Sequence, residues 1–174
     1  MSTVFTMPYQ VTFKPQELSY VNYWYDYFKT LFLLENRASR SGVLRGVIKY
    51  SSLRMDELVK KVGVQPAFHR LVVGPKWPSS VIAQPEEKGL AVNIALPAAT
   101  ILDLQKWNSV FFAKDRLRSG IERRMIMLFV IFGVRELHNE TRAEVDEFFR
   151  ELSEEEHWLG LRRGRPTRRT GPPA

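Results

Sequence analysis

Three histidines, a scatter of carboxylates and no cysteine bound the chemistry open to this chain. His69, His138 and His157 stand far apart, and none has a neighbour at the short spacings of a zinc site or a nucleophilic triad. Glu154, Glu155 and Glu156 precede His157, but adjacent residues on a helix point different ways and do not converge on one ion. No glycine-rich phosphate loop and no serine elbow occurs. Without thiols, disulfide frameworks, thiolate metal centres and cysteine nucleophiles are excluded. The residues therefore predict no catalytic centre, no metal and no cofactor, and a small-molecule substrate is not expected.

Cations are the other chemistry in reach. Lys+Arg number 26 against 19 Asp+Glu, a net charge of +7 with a pI near 9.8, which points to anionic surroundings such as nucleic acid, lipid headgroups or an acidic partner. Most of the basic residues are arginine, the side chain suited to fixed bidentate contacts. One group, Lys114, Arg116, Arg118, Arg123 and Arg124, is expected to meet lipid headgroups such as cardiolipin, or phosphates. A second, Arg162, Arg163, Arg165, Arg168 and Arg169, lies among Gly, Pro and Thr and reads as a tail that anchors on a polyanion or a protein surface. Within it Arg163-Gly164-Arg165-Pro166 resembles the core of an AT-hook, which implies arginines laid into a narrow A·T minor groove.

These groups need elements to carry them. The most apolar stretch, residues 125–134, is fenced by Arg123 and Arg124 before it and Arg135 after it. As a helix it is roughly 15 Å long, about half a bilayer's hydrocarbon thickness, so a transmembrane span is not expected. It has no polar face, and such a helix must be covered by its own domain, a partner or lipid. A helix over residues 16–36, opened by Pro15, carries Tyr20, Tyr23, Trp24, Tyr25, Tyr27, Phe28 and Phe32. Rings with polar tips suit an apolar–aqueous boundary. Tyr20, Tyr23, Trp24, Tyr27, Phe28 and Phe32, with Phe129 and Phe132 of the central run, are thus the expected membrane or partner interface.

The remaining segments fill in a small domain. Residues 4–13 alternate and predict an arm or edge strand broken by Pro8. Residues 37–42 read as a basic loop, 43–51 as a short strand between glycines, and 84–89 as a turn. Residues 55–67, with Gly63 between two helical stretches, resemble the first half of a DNA-binding helix-turn-helix, although His69 stands where a recognition helix needs an apolar anchor. Residues 90–96 alternate as a strand, expected to pair with 71–73 or 81–83. From Pro97, Ile101, Leu104, Trp107 and Phe111 trace a helix running to the basic group before Gly120. Thr141 and Glu144 form a capping box for a further helix, ending near Gly160, with one acidic face: Glu140, Glu144, Asp146, Glu147, Glu151 and the glutamates before His157. That face reads as solvated surface or as a dock for a basic partner.

The expected fold is a mostly helical α+β domain over 1–160, a small sheet near 90–96 packed with three to five helices, an extended N-terminal arm and a basic tail over 161–174. No basic residue precedes Lys14, so the start resembles neither a secretory signal nor a transit peptide. The leading expectation is a non-catalytic accessory subunit of a large organellar complex, a mitochondrial inner-membrane respiratory or ATP-synthase assembly, contacting other protein subunits and lipid. The alternatives are an organellar ribosomal protein contacting RNA, and a DNA-binding regulator.

Overall fold

A computed structural model describes residues 6–31, 40–73, 90–112 and 119–154. The elements in order are β1 (Thr6–Phe13), α1 (Pro15–Leu31), α2 (Arg40–Val62), α3 (Val64–Val72), β2 (Leu90–Pro97), α4 (Ala98–Phe112), α5 (Ser119–Leu137) and α6 (Arg142–Glu154). The fold is the mostly helical α+β arrangement the pattern predicts, with a two-stranded antiparallel sheet but six helices among the described residues in place of the three to five expected.

The strand over residues 90–96 pairs with the N-terminal arm, not with 71–73, which lie at the end of α3 and just beyond it; 81–83 fall outside the described residues. Register matches two alternating patterns: Tyr9 faces Ile94 and Val11 faces Val92, and all four are buried. Gln10, Thr12, Ala91 and Asn93 stay exposed on the other face. Pro8 is tolerated because a two-stranded ribbon leaves each strand a free edge.

The central run forms most of α5, packed against α1, α2, α3, α4 and β1. Met125, Ile126, Phe129, Val130, Phe132, Val134 and Leu137 are buried, while Met127, Leu128 and Ile131 are half-buried. Of the three covers the sequence left open, the chain's own elements supply most of what the run needs.

Residues 40–51, read as a loop end and a short strand, are instead the first half of α2. Val43, Leu44, Val47, Ile48, Ser51 and Met55 recur at helical spacing and are all buried. At Gly133 of α5 an added Cβ would run into Ser51 Oγ and sit 2.6 Å from Val47 Cγ1. The α2–α5 crossing is that close. The Ser51 hydroxyl lies 2.7 Å from the Val47 carbonyl and 2.6 Å from that of Phe129, sharing its one proton between the two helices. Trp107 of α4 donates its indole N–H to Ser52 Oγ at 3.0 Å, tying a third helix to α2.

At the starts of α1 and α6 the sequence signals hold, whereas Pro97 closes β2 and Gly120 lies in the first turn of α5. Pro15 opens α1, and the Glu17 carboxylate accepts the Lys14 N–H at 2.9 Å. The capping box forms as expected: Glu144 accepts the Thr141 N–H at 3.0 Å, and Thr141 Oγ1 accepts the Glu144 N–H at 3.3 Å. Gly63, at φ 88, alone separates α2 from α3. A DNA-binding helix-turn-helix has a turn of about three or four residues, so the resemblance seen in the sequence stops at the element order.

Candidate functional site

The second half of α2 leaves the core, and across from it stands α6. Between them lies a groove of about 620 Å³. Its floor is Tyr50 and Leu53 of α2 with Val145 and Phe148 of α6; its rim carries Asp56, Glu57, Glu140, Glu144 and Glu151 against Arg54 and Lys60. Leu53 is 42% exposed there. Tyr50 sets the spacing between the helices: its ring meets Phe148 edge-on at 5.4 Å and its hydroxyl donates to Glu140 at 3.0 Å. Burial, and then the Glu140 charge, push the Tyr50 hydroxyl well above the usual phenol range, so it remains a donor.

Behind the groove Arg54 joins three carboxylates, Glu57 at 3.1 Å, Glu140 at 3.6 Å and Glu136 at 3.7 Å. Glu136, on the last turn of α5, is 1% exposed and accepts the Nε–H of Arg70 from α3 at 2.8 Å, with Arg70 Nη2 at 2.7 Å. A buried carboxylate held by guanidinium groups from two helices is a structural tie whose loss of one partner is strongly destabilising. A smaller hollow of about 210 Å³, floored by Leu58 and Phe132, adjoins it and adds Lys61 and Arg70 to the rim. The backbone and side chain of Thr141 hold the Glu144 carboxyl below its usual range, so it stays charged at the groove mouth.

The sequence-predicted interface residues are distributed differently. Tyr20, Trp24, Phe28, Phe129 and Phe132 are buried inside the chain's own core. Phe28 stacks on Phe149 of α6 at 4.0 Å. Tyr23 and Tyr27 are half-buried and face α6: Arg142 donates to the Tyr23 hydroxyl at 2.8 Å, and the Tyr27 hydroxyl donates to Asp146. The aromatic rows of α1 are thus a seam with α6. Phe32 lies outside the described residues.

Of the first cation group, Arg123 and Arg124 are exposed near the start of α5, with the Arg124 guanidinium 5.1 Å from the centre of the Phe112 ring. Lys114, Arg116 and Arg118, and all of Arg162, Arg163, Arg165, Arg168 and Arg169, lie outside the described residues, as do the turn at 84–89, His157 and Gly160. His69 is exposed on α3 and His138 half-buried in the turn after α5. Among the described residues no group of three or more His, Asp or Glu is placed to hold a metal ion, and no helix is long and apolar enough to cross a membrane.

Sequence reasoning found one wall of the groove, the acidic face of α6, and missed the other. Tyr50, Arg54 and Glu57 do recur at helical spacing, but only once residues 43–51 are read as helix does that face come into register. No protein-family model matches this chain, no curated protein matches it in sequence, and no solved structure matches it in fold.

Proposed function

We propose that this chain is a non-catalytic accessory subunit that works by protein contact, and that the α2–α6 groove receives a basic segment of a partner protein. The observation that carries this reading is a charge inversion. In a chain of net charge +7 the groove gathers five carboxylates against two cations, above an apolar floor. Arg54 pairs with Glu57 and Glu140, and Lys106 with Asp56 at 3.2 Å, so the acidity left for a partner rests chiefly on Glu144 and Glu151. Arginine or lysine side chains with an apolar residue between them match both features, and such complementarity steers encounter and fixes register.

A large organellar assembly, with the mitochondrial inner membrane as its setting, remains the proposed context. Its support is the overall basicity and the exposed Arg123 and Arg124. The buried aromatic rows no longer contribute to it, so lipid contact rests on the cations alone. Fractionation separates this setting from the RNA-bound alternative: co-extraction with detergent-solubilised membrane complexes supports it, and recovery in a nuclease-releasable ribonucleoprotein pellet overturns it.

The groove itself is tested with the full chain and a labelled arginine-rich peptide carrying one leucine. Glu57→Lys with Glu151→Lys, exposed positions on the two walls, is expected to weaken binding at least tenfold, about 1.4 kcal/mol, and affinity is expected to fall as salt rises. Affinity unchanged by the substitutions removes the groove as the docking site. If Arg162→Gln with Arg163→Gln and Arg165→Gln instead tightens peptide binding, the chain's own tail is the natural occupant and the partner reading fails.

A further inference from the structure

His138 sits in the turn between α5 and α6, with its ring 5.4 Å from Tyr20, 5.3 Å from Tyr23 and 5.2 Å from Trp24, all on α1. Its Nε2 is buried and finds no hydrogen-bond partner. A neutral imidazole tolerates that, because an unpaired acceptor is all it leaves behind. A protonated one does not, since both ring nitrogens then carry N–H groups and one of them would be a buried, unpaired, charged donor.

The charged groups around it offer little relief, and attraction of a cation to the neighbouring ring faces only partly offsets that. From α6 comes Arg142, whose guanidinium donates to the Tyr23 hydroxyl at 2.8 Å and lies 5.0 Å from the centre of the Tyr27 ring. The Asp146 carboxylate, also on α6, is engaged by the Tyr27 hydroxyl. On α5 the preceding residues are Glu136, held by Arg70, and Arg135, which donates to the Val73 carbonyl and lies near Glu17 of α1. The polar part of the seam between α1 and the first turns of α6 is therefore made by tyrosines, one arginine and one aspartate, with the imidazole at its edge and the buried Phe28–Phe149 stack beneath it.

We propose that His138 and the aromatic rings of α1 form a pH-sensitive latch, in which the neutral imidazole lets α6 close on α1 and proton uptake releases the first turns of α6. The added charge lacks an acceptor at Nε2 and repels Arg142, and the two effects act in the same direction. Burial, and then Arg142, hold the imidazole below the usual histidine range. The unfolded or opened chain binds the proton more readily than the closed one, so closure is fully favoured above the ordinary histidine value of 6.5 and declines as pH falls below it. The latch is independent of the partner proposed above, although the helix it releases carries Glu144, Val145, Phe148 and Glu151 of the groove.

Hydrogen exchange of the full chain at pH 7.5 and 5.0, corrected for intrinsic rates, tests it. Amides 145–151 are expected to lose protection at least tenfold at the lower pH, while 126–134 keep theirs, and His138→Gln is expected to abolish the difference. In the unaltered chain the His138 ring resonances, followed by NMR, should titrate in the pH range over which α6 opens. Equal protection of α6 at both pH values, the same loss in the His138→Gln chain, or titration of His138 with α6 unmoved would each overturn the latch.

Discussion

Gly133 shows how much one missing side chain decides here. The α2–α5 crossing places Val47 and Ser51 where any Cβ on residue 133 would lie, and the Val47 carbonyl oxygen, 3.0 Å away, is backbone that cannot swing aside. Gly133→Ala is therefore expected to destabilise the chain by about 3 kcal/mol, the upper part of the usual overpacking range, measured as a lower urea midpoint with unchanged m. Adding Ser51→Ala removes the nearest obstacle but leaves Val47, so the double variant should recover only part of the loss. Full recovery would mean the helices cross further apart than described. Glu136 makes the complementary point: a buried charge is kept because Arg54 and Arg70, from two other helices, reach it.

Among the elements, α6 is the least self-sufficient. It buries Val145, Phe149 and Leu152, sets Arg142 and Asp146 against α1, and turns the rest of its surface to water or the groove. Its start depends on the Thr141–Glu144 box, and substituting a hydroxyl cap by alanine removes about 1 kcal/mol. Thr141→Ala is expected to lower stability by about that amount and to raise exchange at amides 142–146 before any other helix responds. If α4 or α5 loosens first, the cap is not what limits α6. The same comparison explains a misread element. Val43, Val47 and Ile48 are β-branched and sit beside Gly42 and Gly46, so local preference alone favours extended chain. What makes residues 40–51 helical is burial on several sides at once, with α5, β2 and α1 each packing against α2.

At the scale of the molecule, the apolar run is a core and not a surplus. Five of the eight aromatic residues expected at an outside interface are enclosed by the chain's own packing: Tyr20, Trp24, Phe28, Phe129 and Phe132. The chain on its own is accordingly expected to sediment as a monomer without detergent, with amides 126–134 the slowest to exchange. Detergent-dependent solubility, or fast exchange in that stretch, would show that the run is covered by something other than this chain.

Periodicity was sufficient for much of the outline. The strand over 90–96, the aromatic α1, the helix after Pro97, the apolar α5 and the capped α6 were all legible, because each pattern repeats over enough residues to outweigh local ambiguity, and the caps depend only on neighbours three residues apart. Three things needed the tertiary structure. The partner of β2 is the N-terminal arm, a pairing of residues 6–13 with 90–97 that no local preference encodes. The conformation of residues 40–51 followed from what surrounds them. Whether a ring such as Trp24 faces lipid, a partner or its own core is not a property of its spacing at all: the stripe says only that a face is apolar, and the elements that close over it decide what it meets.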